Sequence, residues 1–517
     1  MKGTSTSILL LLFAACGPTA GNERDCGSGL TDLNTDPMNC GQCTFVCGTN
    51  ESCHAGKCTS GICEPGKTED CYDGQDGTKG VGPCTGGTHT CGADGNWSQC
   101  MGEVVPVQEK CGNGIDDNCN GKTDEDEDAD GDGFTTCGGD CCDSTECSNP
   151  GAVNPGAFDA PGNNFDDDCD GMIDNTITLC DQTLTSNSNV GMDYAKAIDL
   201  CQQTTMTDKK WGVIDAQLTL PSGSGTADPN SHSIRHKFGS GVMPQGGLSM
   251  AILSTGAAAA KGDTNPNYVD FDTDNRNETS ALPTDFLAAN GGKVPNAPGC
   301  PGPNDNLGHD PVMLQLQIRV PTNAHSFKLS TNFFSAEFPE WTCTAYNDFF
   351  VVLLDSAYTG DPANPADKNL AFYSPPSDPT KKYPVGVNLA FGNTGLFTQC
   401  VNGSTGCAGG TPGTISTCMG TQQLMGTGFD DSASGTCDGN SLKGGGTGWL
   451  VTSGNVKPGE IIKLRIAIWD TSDGAYDSLA VIDGFQWSVD STQPGTVIFD
   501  HPVDLPPFNP LQPQFVQ

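Results

Sequence analysis

The sequence predicts a mainly β protein, with a jelly-roll-like β-sandwich toward the C-terminus preceded by small disulfide-rich, metal-binding modules. Three observations carry that prediction. Strand-like apolar runs recur between residues 211 and 487, separated by long Gly-, Pro- and Asn-rich loops and preceded by one helix-like stretch. Twenty-seven cysteines occur in a chain of 517 residues, most of them before residue 181, as where disulfides stand in for a thin core in an oxidising compartment. A dense acidic segment, residues 109–175, repeats itself at an offset of 50.

Charge and missing motifs narrow the function. A net charge of −39 and a pI near 4.1 give a surface that repels nucleic acid and attracts metal cations. The sequence holds no HExxH, GxSxG, Walker loop or dinucleotide fingerprint. The expectation is therefore a protein that is not an enzyme, with no organic cofactor and no nucleic-acid partner.

In chain order, residues 1–15 carry Lys2 and a short apolar run, and Cys16 follows. That is a signal peptide, too short to span a bilayer as a helix. Phe13-Ala14-Ala15-Cys16 resembles a bacterial lipobox. The resemblance implies cleavage before Cys16, lipid on its thiol, and membrane attachment through that anchor; Gly17 points to the outer membrane or cell surface. With Cys16 lipidated, 26 cysteines remain, an even number that can pair completely.

Residues 16–25 read as a tether and residues 26–63 as a cysteine-rich module. TDPMNCGQCTFVCGTNESCHAGKC resembles the stigma-specific-protein type of cysteine-rich repeat found in bacterial surface proteins. Cys40 and Cys43 have the spacing of half a zinc site, but a second well-spaced pair is missing, so disulfides are expected. Residues 64–108 form a second module in which Trp97 reads as the packing centre, with a sugar platform as the sharper alternative.

Residues 109–180 hold the acidic repeats. Between residues 109 and 175 there are 19 Asp or Glu against 2 Lys, a local net charge of −17. The first copy offers Asp116, Asp117 and Asp124, and the second Asp166, Asp167, Asp168, Asp170 and Asp174. Between them stand Asp128, Asp130, Asp132, Asp140 and Asp143. Asp at alternate positions followed by Gly suits a hard cation taking six or more oxygens at about 2.3–2.6 Å. The block resembles the metal-binding repeats of bacterial surface proteins that are compared with a copper-binding outer-membrane protein. With no His or Met between residues 109 and 171, calcium suits it better than copper. A solvated acidic linker is the bland alternative. Cys111 has no counterpart in the second copy, where Pro161 stands, so Cys169 is expected to pair outside its repeat, with Cys180 as a candidate.

Residues 181–490 read as the sandwich. Residues 192–202 have helical spacing. Residues 312–320 alternate Leu314, Leu316, Ile318 and Val320 with polar neighbours, a half-buried strand. Residues 349–354 are wholly apolar and read as a strand buried on both faces. At strand-terminal loops lie Glu337, Glu340, Asn347, Asp348, Asp470, Asp473 and Asp477. All but Glu340 form a candidate calcium site of hard oxygen donors. A glycosidase carboxylate pair and simple turn capping are the alternatives. FFSAEFPEWTCTAYNDFFVVLLD (residues 333–355) and AIWDTSDGAYDSLAVIDGFQW (residues 467–487), with HKFG at 236–239 and GLSMAILSTG at 247–256, resemble the choice-of-anchor L family. That resemblance implies a bacterial secreted or surface protein. Residues 491–517 read as an extended, Pro-rich tail.

The expected function is a cell-surface lipoprotein that displays a β-sandwich for adhesion or recognition of a surface glycan or protein, on a calcium-stabilised, disulfide-rich stalk. The rivals are a secreted hydrolase acting on polysaccharide through loop carboxylates, and metal capture by the acidic repeats.

Overall fold

The apolar runs become strands where their patterns predict them. The computed structural model describes residues 23–498, apart from 28–29, 50, 55, 60–62, 93–94, 125–127, 145–146, 175–178, 274–275, 432–436 and 439–443. The expected signal peptide, Cys16, most of the expected tether and the chain beyond residue 498 lie outside the described residues. The chain forms two compact units, residues 1–128 with 135–138, and residues 129–134 with 139–517. The acidic block is thus divided, its first copy in one unit and its second in the other.

The first unit has little apolar core and is held by sulfur. Three short hairpins, Glu23–Asp25 with Leu30–Asp32, Ser52–His54 with Lys57–Thr59, and Thr68–Cys71 with Gly87–Thr90, are bound by seven disulfides. These are Cys26–Cys43, Cys40–Cys53, Cys47–Cys58, Cys63–Cys91, Cys71–Cys100, Cys84–Cys119 and Cys111–Cys137. Cys40 and Cys43 therefore serve disulfides, as expected. Trp97 is half-buried and stacks on His89 with ring centroids 4.0 Å apart.

The second unit is built on two antiparallel sheets. Its strands are β1 (Gly212–Thr219), β2 (His232–Arg235), β3 (Met250–Ser254), β4 (Thr279–Ala281), β5 (Leu307–Arg319), β6 (Ser326–Ser335), β7 (Phe349–Asp355), β8 (Gly445–Asn455), β9 (Ile461–Asp470), β10 (Ser478–Ser488) and β11 (Gly495–Ile498). One sheet runs β4-β5-β9-β7, with β1 also pairing β5; the other runs β11-β8-β6-β10-β3-β2. Between them, Leu314, Leu316 and Ile318 of β5, Val352 of β7 and Ile466 of β9 share one core with Phe327, Leu329 and Phe333 of β6 and Ile482 of β10.

The unbroken apolar run of β7 has the reason the sequence suggested. Phe350, Val352 and Leu354 face the sandwich core. Phe349, Val351 and Leu353 pack in a second cluster with Trp469 and with Phe286 of a helix, α2 (Thr284–Ala289). That helix was not anticipated, because six residues are too few to show a period. The anticipated helix is shorter than its pattern. The helix α1 (Gly191–Lys196) stops where Asp199 adopts φ 73° and Ile198 gives its carbonyl to the Phe485 amide. Segment 491–498 is not simply a tail, since β11 pairs β8.

Disulfides Cys180–Cys201, Cys300–Cys343, Cys400–Cys418 and Cys407–Cys437 fasten the loops. Cys169 bonds Cys141 and not Cys180. The pairing is decided by the fold of the second acidic copy, which brings the amide of Cys141 within 3.1 Å of the Cys169 sulfur. Cys142 and Cys147 are thiols, and burial, then the neighbouring Cys147, pushes the Cys142 thiol up to about 12.

Candidate functional site

Antiparallel pairing brings five strand ends to one end of the sandwich. Phe349 lies opposite Trp469 in the β7–β9 ladder, so Asp348 and Asp470, one step beyond, leave the sheet side by side. Ser335 of β6 lies opposite Ser478 of β10, and Leu479 opposite Ser254 of β3. The chain just past these pairs supplies Glu337, Asp477 and Thr255. The Ala336 amide bonds the Asp477 carbonyl at 3.0 Å, which locks the two turns together.

The result is a cluster of buried acids. Glu337 is 2 % exposed, and Asp348, Asp470 and Asp477 are 1 % each. Glu337 accepts the Asp348 amide at 3.3 Å, and Asp348 Oδ2 accepts the Ser478 hydroxyl. Both carboxyl oxygens of Asp470, and Oδ1 of Asp348, are buried with no hydrogen-bond partner. Burial raises Glu337 well above the usual carboxylate range, and the charge of Asp470 adds to it. Asp348 is raised by burial and then by Glu337, with Ser478 opposing. Asp470 is raised by burial and then by the charges of Asp348 and Asp477.

Sequence reasoning missed one further acid. Asp310, 1 % exposed, extends the cluster from β5, where its neighbour His309 pairs with Asp470. Its Oδ1 accepts the Glu278 amide at 2.7 Å, while Oδ2 is buried without a partner. Two glycines let backbone close on these acids: a Cβ on Gly256 would stand 2.3 Å from Asp477 Oδ2, and one on Gly474 2.4 Å from Asp310 Oδ2. Asp310 lies within β5, and its only local signal is a charged residue just before an apolar run.

Two predicted members stand apart. Asn347 is buried, but its Oδ1 accepts the Asn388 amide at 2.7 Å, so it holds a loop. Asp473 is exposed and caps its own turn at the Ala475 amide, 3.3 Å away. Glu340 is only partly buried and is raised by burial. Beside the cluster lies an aromatic rim. The Trp341 ring is 5.4 Å from that of Tyr346 and 5.8 Å from that of Tyr476, all three partly exposed. The Trp341 amide bonds the Glu337 carbonyl at 2.9 Å, and Cys343 is tied to Cys300.

The acids of the repeats are arranged differently. Asp116 accepts the amides of Asn120 and Gly121 at 3.1 and 3.0 Å, and Asp166 those of Asp170 and Gly171 at 3.1 and 2.9 Å. Asp124 accepts the Asn113 and Gly114 amides, and Asp174 those of residues 162, 163 and 164. Asp117 and Asp167 take the side-chain amides of Asn113 and Asn163. Each copy is thus a loop stapled by its own carboxylates, and the offset of 50 holds down to single hydrogen bonds. Asp128 is exposed at the end of the first unit. Asp132 accepts the Phe134 amide and the Asn154 side chain at 2.8 and 2.6 Å.

Two groups in the second unit do converge. Oxygens of Asp130, Asp140 and Asp143 lie within 4.8 Å of one another, and so do oxygens of Asp166, Asp168 and Asp170. Burial, with the charges of Asp132, Asp130 and Asp143, pushes Asp140 up to about 6; burial and Asp170 push Asp168 up to about 6.

No protein-family model, curated protein or solved structure matches the chain. What can be said of the site rests on its chemistry. Glu337, Asp348 and Asp470, packed together with no lysine, arginine or histidine paired to them among the described residues, either hold protons or face a cation. A bound divalent ion would satisfy the orphaned oxygens of Asp348 and Asp470. It takes six to eight oxygens and accepts carboxylates and backbone carbonyls alike, so the donors present fit calcium. A pair of hydrolytic carboxyls needs substrate and water between them, and these carboxyls are buried.

Proposed function

We propose that the protein is a lipid-anchored surface protein that presents the β-sandwich for adhesion or recognition, with calcium at Glu337, Asp348 and Asp470 bracing the recognising loops. The disulfide-rich, mainly β build suits an extracytoplasmic or surface protein. The observation that carries the calcium reading is the pair Asp348 and Asp470, buried with three oxygens that receive no hydrogen bond. Leaving such oxygens unpaired costs several kcal/mol in effective terms, and a bound cation removes that cost.

The recognition reading rests on what the ion would brace. Trp341, Tyr346 and Tyr476 sit on the same loops as Glu337, Asp348 and Asp477. Partly exposed aromatics carry large contact area at small entropic cost, which suits a binding rim. The choice-of-anchor L resemblance of residues 333–355 and 467–487 agrees, since those segments form both the acid cluster and the rim.

The test is a glycan and surface-protein array probed with the mature chain in millimolar calcium and again in chelator. Binding that vanishes in chelator and falls at least tenfold in Trp341→Ala is expected. A chain that binds nothing on the array, or binds equally without calcium, defeats the reading.

A further inference from the structure

A second acid group lies about 20 Å along β10 from Asp477, taking 3.3 Å per residue. Its members come from three distant segments. Asp181 follows Cys180, Asp199 ends the turn after α1, and Asp483 sits on β10 beside Gly484. The register of β10 on β6 shifts there, and Gly484 has φ 62°. Such a bulge re-aims a strand side chain. All three carboxyls meet at the loop of residues 245–249, which leads into β3.

The contacts are specific. Asp483 Oδ2 accepts the amides of Gln245 and Gly246, the latter at 3.1 Å. Asp181 Oδ2 accepts the Leu248 amide at 2.6 Å and the Ser249 hydroxyl at 2.9 Å. A Cβ on Gly247 would stand 2.7 Å from both Asp181 Oδ2 and Asp199 Oδ1, and one on Gly246 1.8 Å from Asp199 Oδ2. The loop is glycine at these two positions because the carboxylates press on its backbone.

What these bonds leave over points to a ligand. Asp181 is 1 % and Asp483 0 % exposed, and Oδ1 of each is buried with no partner. No ion pair reaches any of the three among the described residues. Asp199 is partly exposed and gives the group an opening to solvent. Burial and then Asp181 push Asp199 up to about 7, and burial and then Asp199 raise Asp483 well above the carboxylate range. Both shifts have the same cause as the geometry, which is negative charge gathered in a buried place with no basic side chain paired to it among the described residues.

We infer that Asp181, Asp199 and Asp483 form a second hard divalent-cation site, of calcium type, which clamps the Cys180–Cys201 segment and the loop of residues 245–249 to β10. Each carboxylate oxygen already bonded to an amide is fixed, and the two orphaned Oδ1 atoms and Asp199 are left to ligate. Calcium tolerates the irregular geometry that three chain segments give, with water and backbone carbonyls completing its shell.

The test is calcium alone titrated into the chelator-stripped mature chain, with bound ions counted by equilibrium dialysis. Asp199→Asn and Asp483→Asn each lose one bound ion per chain, or weaken one site at least tenfold. Asp470→Asn, in the other cluster, loses a different one. Full binding in both Asp199→Asn and Asp483→Asn overturns this site, whereas full binding in Asp470→Asn overturns only the earlier reading. Should the variants fail to fold, hydrogen exchange on the wild type decides. Calcium slows the amides of Gln245, Gly246 and Leu248 at least tenfold if the site is real, and unchanged exchange there overturns it.

Discussion

The acidic repeats and the acid-bearing end of the sandwich use the same side chains for different ends. In the repeats, Asp116, Asp124, Asp166 and Asp174 each accept two or more backbone amides. Their charge is dispersed into the loop, and the loop is defined by them. In the sandwich, Asp348 and Asp470 are at least as buried and much less satisfied. Unanswered buried charge therefore follows the balance of burial and hydrogen bonding, not the density of acids in the sequence.

Removing calcium is the strongest way to break this contrast. Chelator is expected to lower the melting temperature of the sandwich by about 3–5 °C, since a site at a hundred times its dissociation constant contributes about 2.7 kcal/mol. It should also expose the loops around Trp341 and Tyr476 to protease, while the first unit, held by seven disulfides, changes little. A scanning calorimetry trace unmoved by chelator contradicts the contrast.

A pair of substitutions sharpens it. Asp470→Asn should lower stability in calcium yet raise it in chelator, because without the ion it removes one of several repelling buried charges. Asp116→Ala should cost about 1–3 kcal/mol equally in both, by leaving the Asn120 and Gly121 amides without their acceptor. Denaturant melts in the two buffers check both, and a calcium-dependent Asp116→Ala would erase the distinction.

Acid separates the units in another way. His232 is 2 % exposed and shares a 2.7 Å hydrogen bond with Tyr194. Burial pushes it down to about 4; Asp228 opposes, and Arg276 adds to the fall. A histidine held neutral in the fold contributes stability that is full above its unfolded value near 6.5 and is lost as pH falls toward 4. The sandwich should lose roughly 3 kcal/mol over that window, and His232→Gln should flatten that limb of the pH profile. A limb of equal steepness in the variant assigns the loss elsewhere.

The smallest effect concerns charges that do have partners. Arg465 bonds Asp285 at 3.0 and 2.7 Å and Asp355 at 3.0 Å, with Lys368 on both carboxylates. The Arg465 hydrogen bonds hold Asp285 well below the usual carboxylate range, with Lys368 helping against burial. That stability is present above the unfolded value near 4 and is lost as pH falls below it. Arg465→Met should cost about 1–2 kcal/mol at neutral pH, less in acid and less in high salt. A cost independent of both would mark it as packing.

Much of the sandwich was legible because its signals are local. Alternation along residues 312–320 and the unbroken run at residues 349–354 gave β5 and β7 and even the second buried face of β7. The strands β2, β4 and β11 were missed because three or four residues carry no period. Of the candidate site, Glu337, Asp348, Asp470 and Asp477 were chosen as oxygen donors at strand ends, and the structure brings them together. Asn347 and Asp473 were chosen on the same ground and do other work. Cys169 was expected near Cys180, whereas the fold of its own loop carries it to Cys141.

The sequence by itself determined where the longer strands of the sandwich lie, that sulfur must replace core in the first unit, and that acids repeat at an offset of 50. Each is a pattern within a few residues or a simple composition. Only the tertiary structure decided which acids are buried together and which are answered by amides. Ser478 reaches Asp348 across 130 residues of chain, and Asp181 and Asp483 reach the same loop from opposite ends of the sandwich sequence. Such meetings are set by strand register and sheet order, which place distant strand ends side by side, and no local spacing encodes them.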